Sequence, residues 1–208
     1  MAKDDRPNRQ ALIDATLAAI VEIGLSRTSV SEIITRAGLS RGMIHLHFGG
    51  KGPLIVAAAR HESETYYAGI ERMMAAAPPD PAYQLAAYLD HDLGPVGLNR
   101  RAVAIWYELR GAARTDPEIA TYSDTRDGRL RDLIHTLLAR IARDEGQPDP
   151  DTFAKEATIG LVSLLEGIWA DFMLHPDNFD RALVRRVTYR FLSGLLPHSF
   201  DIAGPLSR

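Results

Sequence analysis

The chain has 208 residues, 46% of them hydrophobic, with 24 Lys and Arg against 27 Asp and Glu for a formal net charge of −3, and no cysteine. That length suits one large domain or a small one joined to a larger one. A disulfide scaffold, thiolate metal sites, Fe–S clusters and a cysteine nucleophile are excluded.

Residues 1–6 carry no apolar stretch of the kind that opens a secretory signal. No run approaches the ~18 apolar residues of a membrane span, so a soluble, cytoplasmic chain without a membrane partner is expected. The first 51 residues hold seven basic and five acidic side chains, +2 against −5 for the remainder. This asymmetry is too small to identify a nucleic-acid binder.

Apolar residues recur at spacings of three and four throughout, which predicts an all-α protein. Pro7 opens a first helix whose inward face is Leu12, Thr16, Ile20 and Ile23, with Gly24 at its end. Later helices are expected over about 53–76, 81–93, 99–113, 117–145, 151–173 and 180–195, with the long 117–145 segment split near Asp127-Gly128. They are separated by Pro- and Gly-containing breaks at 77–81, 94–95, 116–117, 146–150 and 175–176. The tail after Pro197 is expected to be loose.

Residues 26–53 hold two short helices. Ser29 with Glu32 forms a capping box at the start of the first, which closes at Ala37-Gly38. Leu39 then plugs the core, and Ser40 caps a second helix from Arg41 to Phe48. Helix, glycine turn and helix make a helix-turn-helix unit. Burial of Ile33, Ala37, Leu39, Ile44 and Phe48 leaves Arg41, Gly42, Met43, His45 and His47 facing outward, where they would enter a major groove. A plain surface hairpin would instead carry Glu/Lys pairs there.

Other constellations are weak. His45 and His47 are two residues apart and share no helical face. His61-Glu62 lacks a second histidine, because Thr65 stands in its place, and Asp90-His91-Asp92 reads as a solvated helix end. No phosphate loop, dinucleotide fingerprint or nucleophile elbow is present, so neither an enzyme, a metal nor another cofactor is expected. Trp106, Tyr107, Trp169 and Phe172 lie in apolar helical stretches beside Glu108, Glu166 and Asp171. They either fill core or wall a pocket for an organic cation. The apolar stripes of 151–173 and 180–195 either fill core or pair with a second copy.

The segment from Arg9 to Ile55 resembles the DNA-binding domain of the TetR/AcrR family, through Gly24, Thr28, Ala37-Gly38-Leu39-Ser40, His47-Phe48 and Lys51. The resemblance implies that Thr28, Ser29, His47 and Lys51 hold phosphates while Arg41, Gly42, Met43 and His45 approach bases, with Ser40 in the same DNA-binding set. His47 stands where the family usually has tyrosine, Ile34 where it has a small residue, and Gly49-Gly50 replaces a polar pair.

The segments 104–108, 116–118 and 165–169 resemble the C-terminal domain of BetI-like repressors, regulators of choline and betaine genes. The expected organisation is a helix-turn-helix domain over 1–52, a ligand-binding and dimerisation domain over 53–196 and a loose tail over 197–208. The function implied is a homodimeric repressor that leaves a double-stranded operator when a small molecule binds near Trp106, Tyr107, Glu108, Glu166, Trp169 and Phe172. The competing reading is a helical ligand-binding or scaffolding protein whose helix-turn-helix contacts protein.

Overall fold

The structure, a computed structural model, describes residues 6–207, apart from the side chains of 123–127. Residues 1–5 and 208, the ends of the expected first domain and tail, lie outside the described residues. Among the described residues the regular elements are helical: α1 (Arg6–Ile23), α2 (Val30–Ala37), α3 (Arg41–Phe48), α4 (Lys51–Ala76), α5 (Pro81–Asp92), α6 (Arg100–Ala113), α7 (Pro117–Asp144), α8 (Pro150–Leu174) and α9 (Arg181–Leu195), with a 3-10 turn at Leu25–Arg27. The α7 helix runs unbroken through Asp127-Gly128, so the expected split there is absent. One glycine costs a helix only about 1 kcal/mol, too little to end a helix of 28 residues.

Asp-Pro pairs start three of these helices. Asp80 accepts from Ala82 N–H at 2.8 Å, Asp116 from Glu118 N–H at 3.0 Å and Asp149 from Thr152 N–H at 3.1 Å. Proline follows each at the first helical position, where its missing N–H costs nothing.

The chain divides into two compact units. The first takes in the chain up to Thr65 together with Arg101–Arg126, rather than ending at residue 52 as expected. Its core explains the difference: Leu12, Leu17, Ile20, Ile33, Ile44 and Leu54 are buried in one cluster with Ile105 and Leu109 of α6 and Ile119 of α7. Without α6 and the start of α7, that apolar surface would face water.

The second unit comprises Tyr66–Arg100 and the chain from Asp127 onward. Leu85, Tyr88, Ile134, Leu138, Leu161, Tyr189 and Leu192 are among its buried residues. The expected loose tail is instead fixed to this unit. Phe200 is buried with its ring 6.2 Å from that of Tyr189, Leu206 N–H donates to Ser199 O at 2.8 Å, and Arg185 donates to Ala203 O at 2.9 Å. An aromatic anchor and several backbone bonds outweigh the fraying expected of a terminus.

Among the described residues α8 is the one helix long and apolar enough, by length and composition, to cross a membrane. The expectation that no stretch comes near this was too strong. Its Leu161, Leu165, Ile168, Trp169 and Phe172 are buried within the protein, as in a core helix.

Candidate nucleic-acid interface and effector site

In the first unit, α2 and α3 are set by a chain of local devices. Ser29, with extended backbone, accepts from Glu32 N–H at 3.2 Å. The return half of the expected capping box is not made. The Glu32 carboxylate pairs with Arg36, which Glu22 also holds at 2.6 Å. These two acids raise the Arg36 pKa, Glu22 the more strongly, and they occupy its guanidinium. Gly38 ends α2 at φ 64°, where a side chain would be strained, and Leu39 N–H donates to Ile34 O. Ser40 stands at the start of α3 without a side-chain capping bond, contrary to the role expected of it. Its carbonyl accepts from Met43 N–H instead, leaving the exposed hydroxyl uncommitted to the helix.

Thr28 lies inside the protein rather than on its surface. It is fully buried, and its hydroxyl donates to Gly24 O at 2.9 Å while its N–H donates to Leu25 O. Its hydrogen bonds hold the turn between α1 and α2, so in this structure its hydroxyl is engaged within the protein.

On α3, Ile44 is buried, while Arg41, Gly42 and His45 are exposed. Of the five residues expected to face outward, these three do so, and Leu46 is exposed beside them. Met43 is half-buried against the core, so it does not project freely as expected. His45 Nδ1 lies 3.2 Å from Gly49 O at the helix end. His47 is half-buried beside Phe48, whose ring is covered by the Arg9 guanidinium at 5.0 Å. Lys51 opens α4, half-buried.

The residues expected to bind an effector fall in two groups. In the first unit, Trp106 is buried with the Arg110 guanidinium 5.5 Å from its ring, and Tyr107 is half-buried. Glu108 is exposed and accepts from Leu25 N–H at 2.8 Å, at a shallow depression shared with Ser26, Tyr107 and Gly111. Its carboxylate thus serves the turn after α1.

In the second unit, Trp169 is buried and its indole N–H donates to Asp92 Oδ2 at 3.2 Å. Tyr66 donates to Asp92 Oδ1 at 2.7 Å, and the His91 ring lies 5.9 Å from that of Tyr66. Asp92 is 3% exposed and His91 8%, so of Asp90-His91-Asp92 only Asp90 is the solvated helix end that the polarity suggests. Glu166 is half-buried and Asp171 exposed. Phe172 is buried against Phe179, and the Arg181 guanidinium lies 5.3 Å over its ring. Arg181 also donates to the carbonyls of Leu93 and Leu98, and burial lowers its pKa. Among the described residues no group of three or more metal-ligating side chains is present.

Residues 12–58 match the family model for bacterial regulatory proteins of the tetR family, and residues 81–197 match the C-terminal domain of BetI-type transcriptional repressors. The chain belongs to the TetR family, with a BetI-type C-terminal domain. It is 30% identical over 184 residues to the HTH-type transcriptional regulator BetI of Stenotrophomonas maltophilia (strain R551-3), covering 88% of this chain and 90% of that one. It is 28% identical over 191 residues to BetI 2 of Chromohalobacter salexigens, covering 91% and 89%. A transcriptional regulator from Pseudomonas aeruginosa PAO1 shares the fold with a TM-score of 0.84 at 25% identity, over 95% of this chain and 94% of that one. A regulator from Saccharomonospora viridis, solved in complex with choline, shares it with a TM-score of 0.77 at 18% identity, over 89% and 95%.

This TetR-family protein is therefore a DNA-binding transcriptional regulator and not an enzyme. The competing reading, a scaffold whose helix-turn-helix contacts protein, gives way to that membership. Sequence reasoning missed four residues of the regulator. Leu46, 69% exposed on α3, lies four residues from Gly42, and its apolar side chain reads in sequence as core. Asp92, Tyr66 and Arg181 come together only through packing, and no local pattern marks them.

Proposed function

We propose that this regulator is a cytoplasmic homodimeric repressor that binds a near-palindromic operator through α3 of each copy and releases it when a small organic cation binds the second unit. The observation that carries the DNA half is α3 itself. Its Ile44 side is locked into the core while Arg41, Gly42 and His45 stand exposed at its start and side. Arg41 is the base reader, since a guanidinium forks onto two acceptors of guanine. Ser29, Ser40, His47 and Lys51 position the backbone, and Met43 supports α3 from within.

Pairing through α8 and α9 is supported by Ile159, Leu183 and Val187, large apolar side chains left 61%, 46% and 43% exposed on the two helices. A second copy is the occupant that also explains a palindromic operator, since an isologous face repeats the reading head about a two-fold axis. The cation reading rests on the Asp92 carboxylate buried among Tyr66, Trp169 and His91, and it is in keeping with the choline held by the S. viridis neighbour. Glu166, in the same unit, remains a candidate for a pocket wall.

Selection of bound sequences from random duplex DNA by the purified protein tests the DNA half. A two-fold symmetric consensus is expected, and enrichment of no sequence overturns it.

A further inference from the structure

We propose that Leu46, with Gly42 beneath it on the same face of α3, reads the C5-methyl group of a thymine in each operator half-site. The proposal rests on the reading that α3 enters a major groove, and it adds a specificity-determining contact to that reading.

Residues four apart lie one above the other on a helix, so Leu46 and Gly42 share the exposed face of α3. Leu46 is 69% exposed. A single exposed leucine needs no explanation on an ordinary surface, but Gly42 supplies an independent one. Its φ is not positive, and a Cβ built on it would meet only Ser40 Oγ, at 3.7 Å, an ordinary contact. Neither the backbone nor the packing of the protein requires glycine there, and glycine is the weakest helix former after proline. A helix of eight residues tolerates that weakness at its second position because something outside the chain needs to come close.

Base edges in a major groove are such a neighbour. Without a side chain at 42, the backbone of α3 approaches the edges, and the leucine one turn later is carried in with it. Of the four bases only thymine presents an apolar group in the major groove. Burying a leucine against a polar edge would strip water from an acceptor or donor and return nothing. The pair Gly42-Leu46 therefore fits a thymine methyl, with the exposed Arg41 and His45 beside it for polar edges.

The experiment uses the full-length protein and a duplex carrying the selected consensus, in which each thymine is replaced in turn by deoxyuridine. That exchange deletes one methyl group and leaves every hydrogen-bonding atom in place. One position per half-site should weaken binding about fourfold, the value of one buried methyl-sized group. Changed in both half-sites, the loss should multiply to about sixteenfold. Leu46→Ala, at an exposed site that leaves the core intact, should bind thymine and uracil duplexes equally at that position and keep its preference elsewhere. Gly42→Ala should weaken all sequences together by holding the helix off. Wild-type protein that binds its consensus but is indifferent to every uracil exchange overturns the proposal. So does undiminished sensitivity in Leu46→Ala, or a consensus without thymine. Protein that selects no duplex at all overturns instead the reading of α3 on which the proposal stands, and the proposal with it.

Discussion

The backbone N–H of Leu25 donates to Glu108 Oε2 at 2.8 Å, which ties α6 to the turn where α1 gives way to α2. Gly24, at φ 78°, lets that carboxylate sit close, since a Cβ there would stand 3.2 Å from Glu108 Oε1. Ile105 and Leu109 fix the same stretch of α6 in the core of the reading head. The turn that buries Thr28 and presents Ser29 is thus held from α6 as well as from α1.

The first prediction follows from that bond. Glu108→Ala should cost about 0.5–1.5 kcal/mol of stability, the net worth of one hydrogen bond, and should weaken operator binding. Glu108→Gln keeps an acceptor oxygen and should recover most of both. Chemical denaturation and DNA titration on the two variants check this, and equal behaviour of alanine and glutamine removes the bond from the account.

The second prediction separates the DNA contacts from the scaffold. Arg41→Ala should cost ~1–3 kcal/mol and relax preference at one base pair per half-site, whereas Lys51→Ala should weaken all sequences alike and lower the salt slope by about 1. Thr28→Val should lower stability by about 1 kcal/mol or more, because the Gly24 carbonyl loses its buried donor, and leave the salt slope unchanged. Titrations at several salt concentrations decide it. A shallower slope for Thr28→Val returns that residue to the phosphate set.

These assignments show what sequence carries and what it does not. Ser29 and Gly38 announce the boundaries of α2 because caps and left-handed turns are local, settled within four residues. The same locality misleads at Glu32, whose spacing from Ser29 fits a capping box. Arg36 takes its carboxylate, and Arg36 is itself fixed by Glu22, which comes from α1. Asp92 was illegible for the same reason. Asp90 and His91 before it are polar, and its buried partners, Tyr66 and Trp169, lie 26 and 77 residues away.

The third prediction concerns pairing. Ile159→Glu on α8 or Leu183→Glu on α9 places a charge in an exposed apolar face and should give folded monomers with little operator affinity, since one half-site offers too few contacts. Phe191 is the wrong place for that test. Its ring packs on Gly160, where a Cβ would lie 2.7 Å from Cζ, so a charge at 191 would unseat α9 from α8 within one copy. Sedimentation of the Ile159 and Leu183 variants gives the answer, and intact dimers in both move the interface elsewhere.

The fourth prediction concerns the effector. The buried Asp92 carboxylate accepts from Tyr66 and Trp169. A cation arriving beside the Tyr66 and Trp169 rings would meet two aromatic faces and a carboxylate, which attract it more than a neutral molecule of the same shape. Quaternary ammonium compounds should therefore perturb tryptophan fluorescence and loosen operator binding more strongly than uncharged isosteres in which carbon replaces the nitrogen. Asp92→Asn keeps the shape and removes the charge. It should weaken the cations by about 10- to 100-fold, the ~1.5–3 kcal/mol of a charge-assisted contact, and leave the isosteres where they were. Phe172→Leu should spare the cations, because the face of that ring is already covered by Arg181. If the isosteres bind as tightly as the cations, or if Asp92→Asn affects both alike, the carboxylate is structural and the effector is recognised by its apolar surface.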